Sequence, residues 1–209
     1  MLTIAARCRF LLTGVAAATA SALLATPALA AKAPAPGAAS GCPDKAVFQP
    51  FAPWGDDADY FLIPGGAIDH GAPEWTLHGG ATEVKGNEPF HVVSAKHKRS
   101  LALPAGSSAT SAPFCIAAEH RTMRFFADAA SSSSLDVDVL YADAQGVRRS
   151  MRIGQLGGGD AWAPTAIVPM VVNEQAATSG AMSVRLRFAP RGAGAWTIDD
   201  VLVDPYRTR

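Results

Sequence analysis

No stretch of this sequence stays apolar for the ~20 residues that a membrane-crossing helix needs. The longest apolar run, Phe10 to Ala25, is shorter than that and largely Ala and Thr. Charge is sparse and balanced, with 18 Lys and Arg against 18 Asp and Glu. Without a basic excess there is no footprint for phosphates, so nucleic acid is not an expected partner. Catalytic signatures are missing too. There is no Gly-x-Ser-x-Gly elbow and no His-Glu-x-x-His. Gly157-Gly158-Gly159 lacks the Gly-Lys-Ser/Thr of a phosphate loop. His70, His78, His91, His97 and His120 fall without metal-ligand spacing. The expectation is a protein that is not an enzyme. A small hydrolase is the alternative, because carboxylates on distant strands meet only in the fold.

What is present begins with an export signal. Met1 to Phe10 carries Arg7 and Arg9 and no acid, the apolar run follows, and Ala28-Leu29-Ala30 is a small-x-small cleavage signal behind Pro27. This is the three-part layout of a signal peptide. The expected division is a signal peptide over 1–30, a disordered Ala/Pro linker over 31–41, and one domain over 42–209. Cleavage removes Arg7, Arg9 and Cys8, leaving acids in excess by two. Cys42 and Cys115 remain as an even pair in an oxidising compartment, and a disulfide is expected between them. The competing reading takes Ala39-Ser40-Gly41-Cys42 as a lipobox. It lacks the Leu three residues before the Cys and lies well past the apolar run. The expected product is secreted, extracellular or on the cell surface, monomeric, and without a membrane span once the signal is removed.

From Cys42 onward, short period-two runs lie between recurrent Gly/Pro turn signals, the pattern of an all-β sandwich or barrel. Leu135, Val137, Val139 and Tyr141 face one way and Asp136 and Asp138 the other, predicting a strand over 135–141. Residues 183–188 repeat the pattern with Arg185 and Arg187 outward, so Asp and Arg pair across a sheet if the two strands are neighbours. Further strands are predicted over 59–63, 75–77, 99–103, 114–117, 122–127, 147–153, 167–172 and 197–203, with no capped amphipathic helix. This composition of elements gives an all-β, antiparallel two-sheet jelly-roll β-sandwich.

Two segments carry a family resemblance. Leu62-Ile63-Pro64-Gly65-Gly66-Ala67-Ile68-Asp69, with Gly71, Glu74-Trp75 and Gly79-Gly80, resembles the opening of galactose-binding-like jelly-roll domains of the carbohydrate-binding-module type, found in exported bacterial proteins. Trp196-Thr197-Ile198-Asp199-Asp200-Val201-Leu202-Val203 resembles their closing strand, and the likeness spans residues 60–205. Ser100-Leu101-Ala102-Leu103-Pro104 and the run from Trp162 to Val168 fall where such modules place inner strands. The departures are Ile68-Asp69 in place of an aromatic-acid pair and the added stretch 42–59. The resemblance implies a non-catalytic exported binding module for carbohydrate or a cell-surface glycan. The alternative is a structural or protein-interaction domain of the cell envelope, with no small ligand.

The resemblance also assigns candidate residues. It makes Trp75 and Trp196 core residues. Trp162, after a Gly-rich tip, is the candidate ligand contact, with core-edge packing as the competing role. Asp200 on the closing strand and Asp69 near the end of the first strand are candidate ligands of a structural Ca²⁺, with amide capping or an Arg partner as the other reading for an inward carboxylate. Adjacent Asp199 and Asp200 are expected on opposite strand faces. Asp56, Asp57 and Asp59, and the basic run Lys96-His97-Lys98-Arg99, read as solvated loops.

Overall fold

The computed structural model describes residues 42–69 and 74–206. The expected signal peptide and linker lie outside the described residues. Two antiparallel sheets stack as a jelly-roll sandwich. The seven-stranded sheet runs in the order β10 (Ala163–Pro164), β7 (Thr122–Ala129), β13 (Trp196–Asp204), β4 (Arg99–Leu103), β3 (Thr82–Lys85). In it β1 (Phe61–Leu62) also pairs with β13, and β11 (Val168–Pro169) with β7. The six-stranded sheet runs β2 (Thr76–His78), β5 (Ser108–Thr110), β12 (Met182–Arg191), β8 (Ser134–Ala142), β9 (Arg148–Gly157), with β6 (Phe114–Ile116) also on β12. The last two strands, β12 and β13, fall at the middle of the two sheets.

The core follows from the alternation. β8 turns Leu135, Val137 and Val139 inward, and β12 turns Val184, Leu186 and Phe188 inward. From the other sheet come Met123, Phe125, Trp196, Ile198 and Val203. Phe125 meets Phe188 edge-on across the layers, ring centroids 5.2 Å apart. Each such fully buried side chain contributes roughly 1.5–3 kcal/mol. Trp75 and Trp196 are both buried here, as the resemblance implies.

Most predicted strands are found near their expected bounds. β3 and β5 carry no signal because Thr-Glu-Val-Lys and Ser-Ala-Thr are short and polar. The run 167–172 is a strand only over Val168–Pro169, and 162–168 holds the two-residue edge strand β10. A helix, α1 (Asn173–Ser179), follows. Two turns are too short for a 3.6-residue period to show, and α1 is held by Val172 and Ala176 entering the core.

Segment 42–60 wraps the sandwich. Its start is tied to β6 by the Cys42–Cys115 disulfide, so the lipobox reading of Cys42 does not describe this chain as folded. Its later part lies over the outer face of the seven-stranded sheet. Phe51 stacks on Phe126 of β7 at 5.3 Å, Tyr60 meets Phe51 edge-on, and Leu202 completes the cluster. Asp56 accepts from Arg124 Nη1 at 2.7 Å and from the Tyr60 hydroxyl at 2.8 Å. Asp56 is therefore an anchor rather than a solvated turn residue. Burial pushes its carboxyl up, but hydrogen bonds from Arg124, Tyr60 and the Ala58 amide outweigh that and hold it below the usual range.

The disulfide closes a loop of 73 residues. Chain entropy predicts that Cys42→Ser with Cys115→Ser loses about 4 kcal/mol of unfolding free energy. Urea titration of the oxidised chain and the double variant checks this. A loss under about 1 kcal/mol would show that the cap holds itself in place without the bridge.

Candidate functional site

The outer face of the six-stranded sheet is open. Along β12 the outward side chains are Ser183, Arg185, Arg187, Ala189 and Arg191, because Val184, Leu186, Phe188 and Pro190 point inward. β8 presents Asp136, Asp138 and Leu140 to the same side, and register pairs Arg187 with Asp138 and Arg185 with Leu140. β9 adds Arg148, Ser150, Arg152 and Gln155 opposite Ala142, Leu140, Asp138 and Asp136. β5 and β2 extend the face with Ser108, Thr110, Thr76 and His78.

Both aspartates are sunk beneath arginines. The side chains of Asp136 and Asp138 are 0% and 4% exposed, whereas those of Arg152, Arg187 and Arg191 are 43%, 41% and 56% exposed. Asp138 accepts from Arg152 Nε at 2.8 Å and Arg187 Nη2 at 2.6 Å. Asp136 takes Arg152 Nη2 at 2.7 Å, Gln155 Nε2 at 3.0 Å and Arg191 Nε. Burial raises the Asp138 carboxyl, and the two arginines more than reverse that, so its pKa lies below the ordinary value. Arg152 touches both carboxylates and joins the two pairs into one lattice. Beside it, an open groove of 670 Å³ is lined by Pro113, Leu140, Arg148, Ser150, Ser183 and Arg185. Arg185 is itself held by donating Nη1 to the Ser111 carbonyl at 2.9 Å. The outward Asp of β8 and the outward Arg of β12 were legible in the sequence, whereas the adjacency of the two strands was not. The β9 arginines were not, because Arg148, Arg149 and Ser150 are polar in succession and leave the two faces of that strand unmarked.

Trp162 is on the other side of the sandwich. It is half-buried and packs against Phe51, Tyr60, Phe126 and Leu202. The more exposed rings of that cap are Trp54 and Phe90, 37% and 43% exposed and edge-to-face at 4.8 Å. They offer no pair of coplanar rings. The basic run 96–99 is locally paired: His97 contacts Asp69 at 2.9 Å, Arg99 contacts Glu83, and Lys98 donates to the Ala95 carbonyl at 2.8 Å.

Asp69 and Asp200 do come together. β1 pairs with β13, and the chain after β1 returns to the closing strand where the Val201 amide donates to the Gly66 carbonyl at 3.0 Å. A Cβ on Gly66 would stand 2.7 Å from the Val201 carbonyl oxygen, so only glycine permits this approach. The expectation that Asp199 and Asp200 face opposite ways is corrected here. Asp200 has a left-handed φ of 46° within a register shift, and the bulge ends the alternation. Both carboxyls enter one buried cluster with Glu88, which the sequence did not flag: a lone acid in a Gly/Asn/Pro loop resembles a solvated residue. Glu88 accepts from the amides of Phe90, His91 and Val92. Neither oxygen of Asp200 meets a donor at full hydrogen-bond geometry, although the Glu88 carboxyl and the Val93 amide lie beside them. Burial foremost pushes both aspartates well above the usual carboxylate range. Asp200 is raised further by Glu88 and Asp69, and Asp199 by Asp200. Among the described residues, no three His, Cys, Asp or Glu side chains are grouped to hold a metal ion. No helix among them is long and apolar enough to cross a membrane.

No protein-family model matches the chain, and no curated protein matches it. Solved structures do. The CBM22-1 xylan-binding domain from Paenibacillus barcinonensis is 13% identical with a TM-score of 0.47, over 69% of this chain and 94% of that one. A family 61 carbohydrate-binding module in complex with β-1,4-galactotriose is 14% identical with a TM-score of 0.42, over 68% and 96%. The enzymatically active domain of tailspike protein 4 from bacteriophage CBA120 is 15% identical with a TM-score of 0.45, and this chain spans 21% of its length.

Proposed function

We propose that this chain is an exported, non-catalytic module that binds a glycan on the open face of the six-stranded sheet. One observation carries the reading: that face is uncovered and bears a lattice of hydrogen-bond donors already fixed in place by buried carboxylates. A sugar chain offers many hydroxyl acceptors and donors, and fixed partners bind it with little ordering cost. The other acid cluster does not serve catalysis in this reading, because Glu88, Asp199 and Asp200 are buried away from any substrate. Export agrees with the signal-like first segment and the disulfide. Affinity electrophoresis against a panel of soluble polysaccharides tests the proposal. Retardation by at least one polymer is expected, weakened roughly tenfold by Arg187→Ala. Equal retardation of that variant, or none on any glycan with the fold intact, contradicts it.

The proposal extends to Asp69 and Asp200 as ligands of a structural Ca²⁺. The buried oxygens of Asp200 and the nearby carboxylates of Asp69 and Glu88 are hard, anionic donors of the kind Ca²⁺ takes. Backbone carbonyls would have to complete the shell. A bound cation would neutralise the buried charge there. Without a cation, the raised pKa values mean that the folded state holds more protons than the unfolded one. Stability in EDTA is then greatest below the ordinary carboxylate pKa and falls as pH rises through neutrality. Thermal unfolding at pH 5 and pH 8, with EDTA and with millimolar Ca²⁺, separates the cases. Ca²⁺ is expected to restore the stability lost at pH 8, by ~2.7 kcal/mol at a hundred times its dissociation constant. Asp200→Asn is expected to remove the Ca²⁺ response and to flatten the pH dependence in EDTA. A wild-type midpoint that ignores Ca²⁺ rejects the metal and leaves Asp200 as a buried, protonated acid.

A further inference from the structure

We infer that the glycan this face takes is an acidic one, bearing carboxylates in a repeating array as a polyuronate does; the inference rests on the glycan-binding reading above. The outward residues of β12, β8 and β9 include Arg148, Arg152, Arg185, Arg187 and Arg191 but only two acids, Asp136 and Asp138. Those acids lie under the arginines with their oxygens engaged, so solvent meets guanidinium groups and little carboxylate. The surface charge is therefore positive although the chain as a whole is neutral.

The donor count agrees. A guanidinium has five N–H donors. Arg187 gives Asp138 its Nε and Nη2, and Arg191 gives Asp136 its Nε, so further donors on each remain for an external acceptor. Their planes are fixed by the aspartates, and a planar fork matches a carboxylate better than it matches a lone hydroxyl. Arg185, Arg187 and Arg191 stand in a row along β12. Six residues of strand cover about 20 Å, enough for several sugar units. The ring that lines the groove, Tyr141, is half-buried against the core with its hydroxyl accepting from Gln175, and the exposed rings Trp54 and Phe90 belong to the opposite face. Ion pairing and hydrogen bonding, not ring stacking, are what this surface offers.

The test compares the full chain on polygalacturonate, on the same polymer after carboxyl reduction to neutral galactose units, and on dextran sulfate, by affinity electrophoresis at low and high salt. Retardation on polygalacturonate is expected to fall roughly tenfold or more on the reduced polymer and to weaken with salt. Arg187→Gln is expected to weaken polygalacturonate binding. Arg148→Gln, at the exposed start of β9 and outside the Asp136–Asp138 lattice, does the same without disturbing a buried acid. Equal retardation on the native and reduced polymers overturns this inference and leaves the glycan reading standing. Retardation on neither overturns this inference, and the glycan reading then falls only if the whole polysaccharide panel is also inert. Stronger retardation on dextran sulfate than on polygalacturonate, with the reduced polymer inert, overturns the carboxylate assignment.

Discussion

Asp136 and Asp138 are buried carboxylates on the outside of a sheet, and arginines from both flanking strands make that possible. A lone carboxylate taken out of water costs several kcal/mol. Here β9 and β12 each supply guanidinium groups to close over it, with Arg152 touching both acids. The arrangement requires that β8 lie between β9 and β12 and that their register hold. A one-residue slip of β12 would send Arg187 into the core and Phe188 into water. The lattice therefore specifies the register of the sheet while it shapes the surface.

The two outer faces of the sandwich have opposite fates, and the chain decides which is which. The disulfide fixes the start of segment 42–60 at β6, and from there the segment reaches the seven-stranded sheet. Phe51, Tyr60 and the Asp56–Arg124 pair hold it there. That face is closed with aromatic side chains, Trp162 among them. The six-stranded face keeps its strands bare and its polar residues exposed. Covering one face and leaving the other free is what turns a symmetric-looking sandwich into a molecule with a front and a back.

Sequence patterning reads strands well when each residue alternates between core and solvent. β8 and β12 show this, and their outward Asp and Arg were visible before any neighbour was known. It reads poorly where the backbone departs from the pleat. The bulge at Asp200 places two adjacent acids in one cluster. In β9 the polar succession Arg148-Arg149-Ser150 leaves the outward face unmarked. Glu88 lies in a loop and is identified only by the amides that cap it. Trp162 looked like a ligand contact because it follows a Gly-rich tip. Nothing in its own neighbourhood announces that Phe51, more than a hundred residues earlier, packs the surface beside it.

In the proposed function the arginine-covered face, rather than the aromatic cap, receives the glycan. Titrating isotope-labelled protein with a retained polysaccharide fragment, while following arginine Nε–H and tryptophan indole N–H signals by NMR, tests it most directly. The account predicts saturable shifts for Arg152, Arg187 and Arg191, with the indoles of Trp54 and Trp162 unmoved. Shifts confined to Trp54 and Trp162, with the arginines silent, would contradict it.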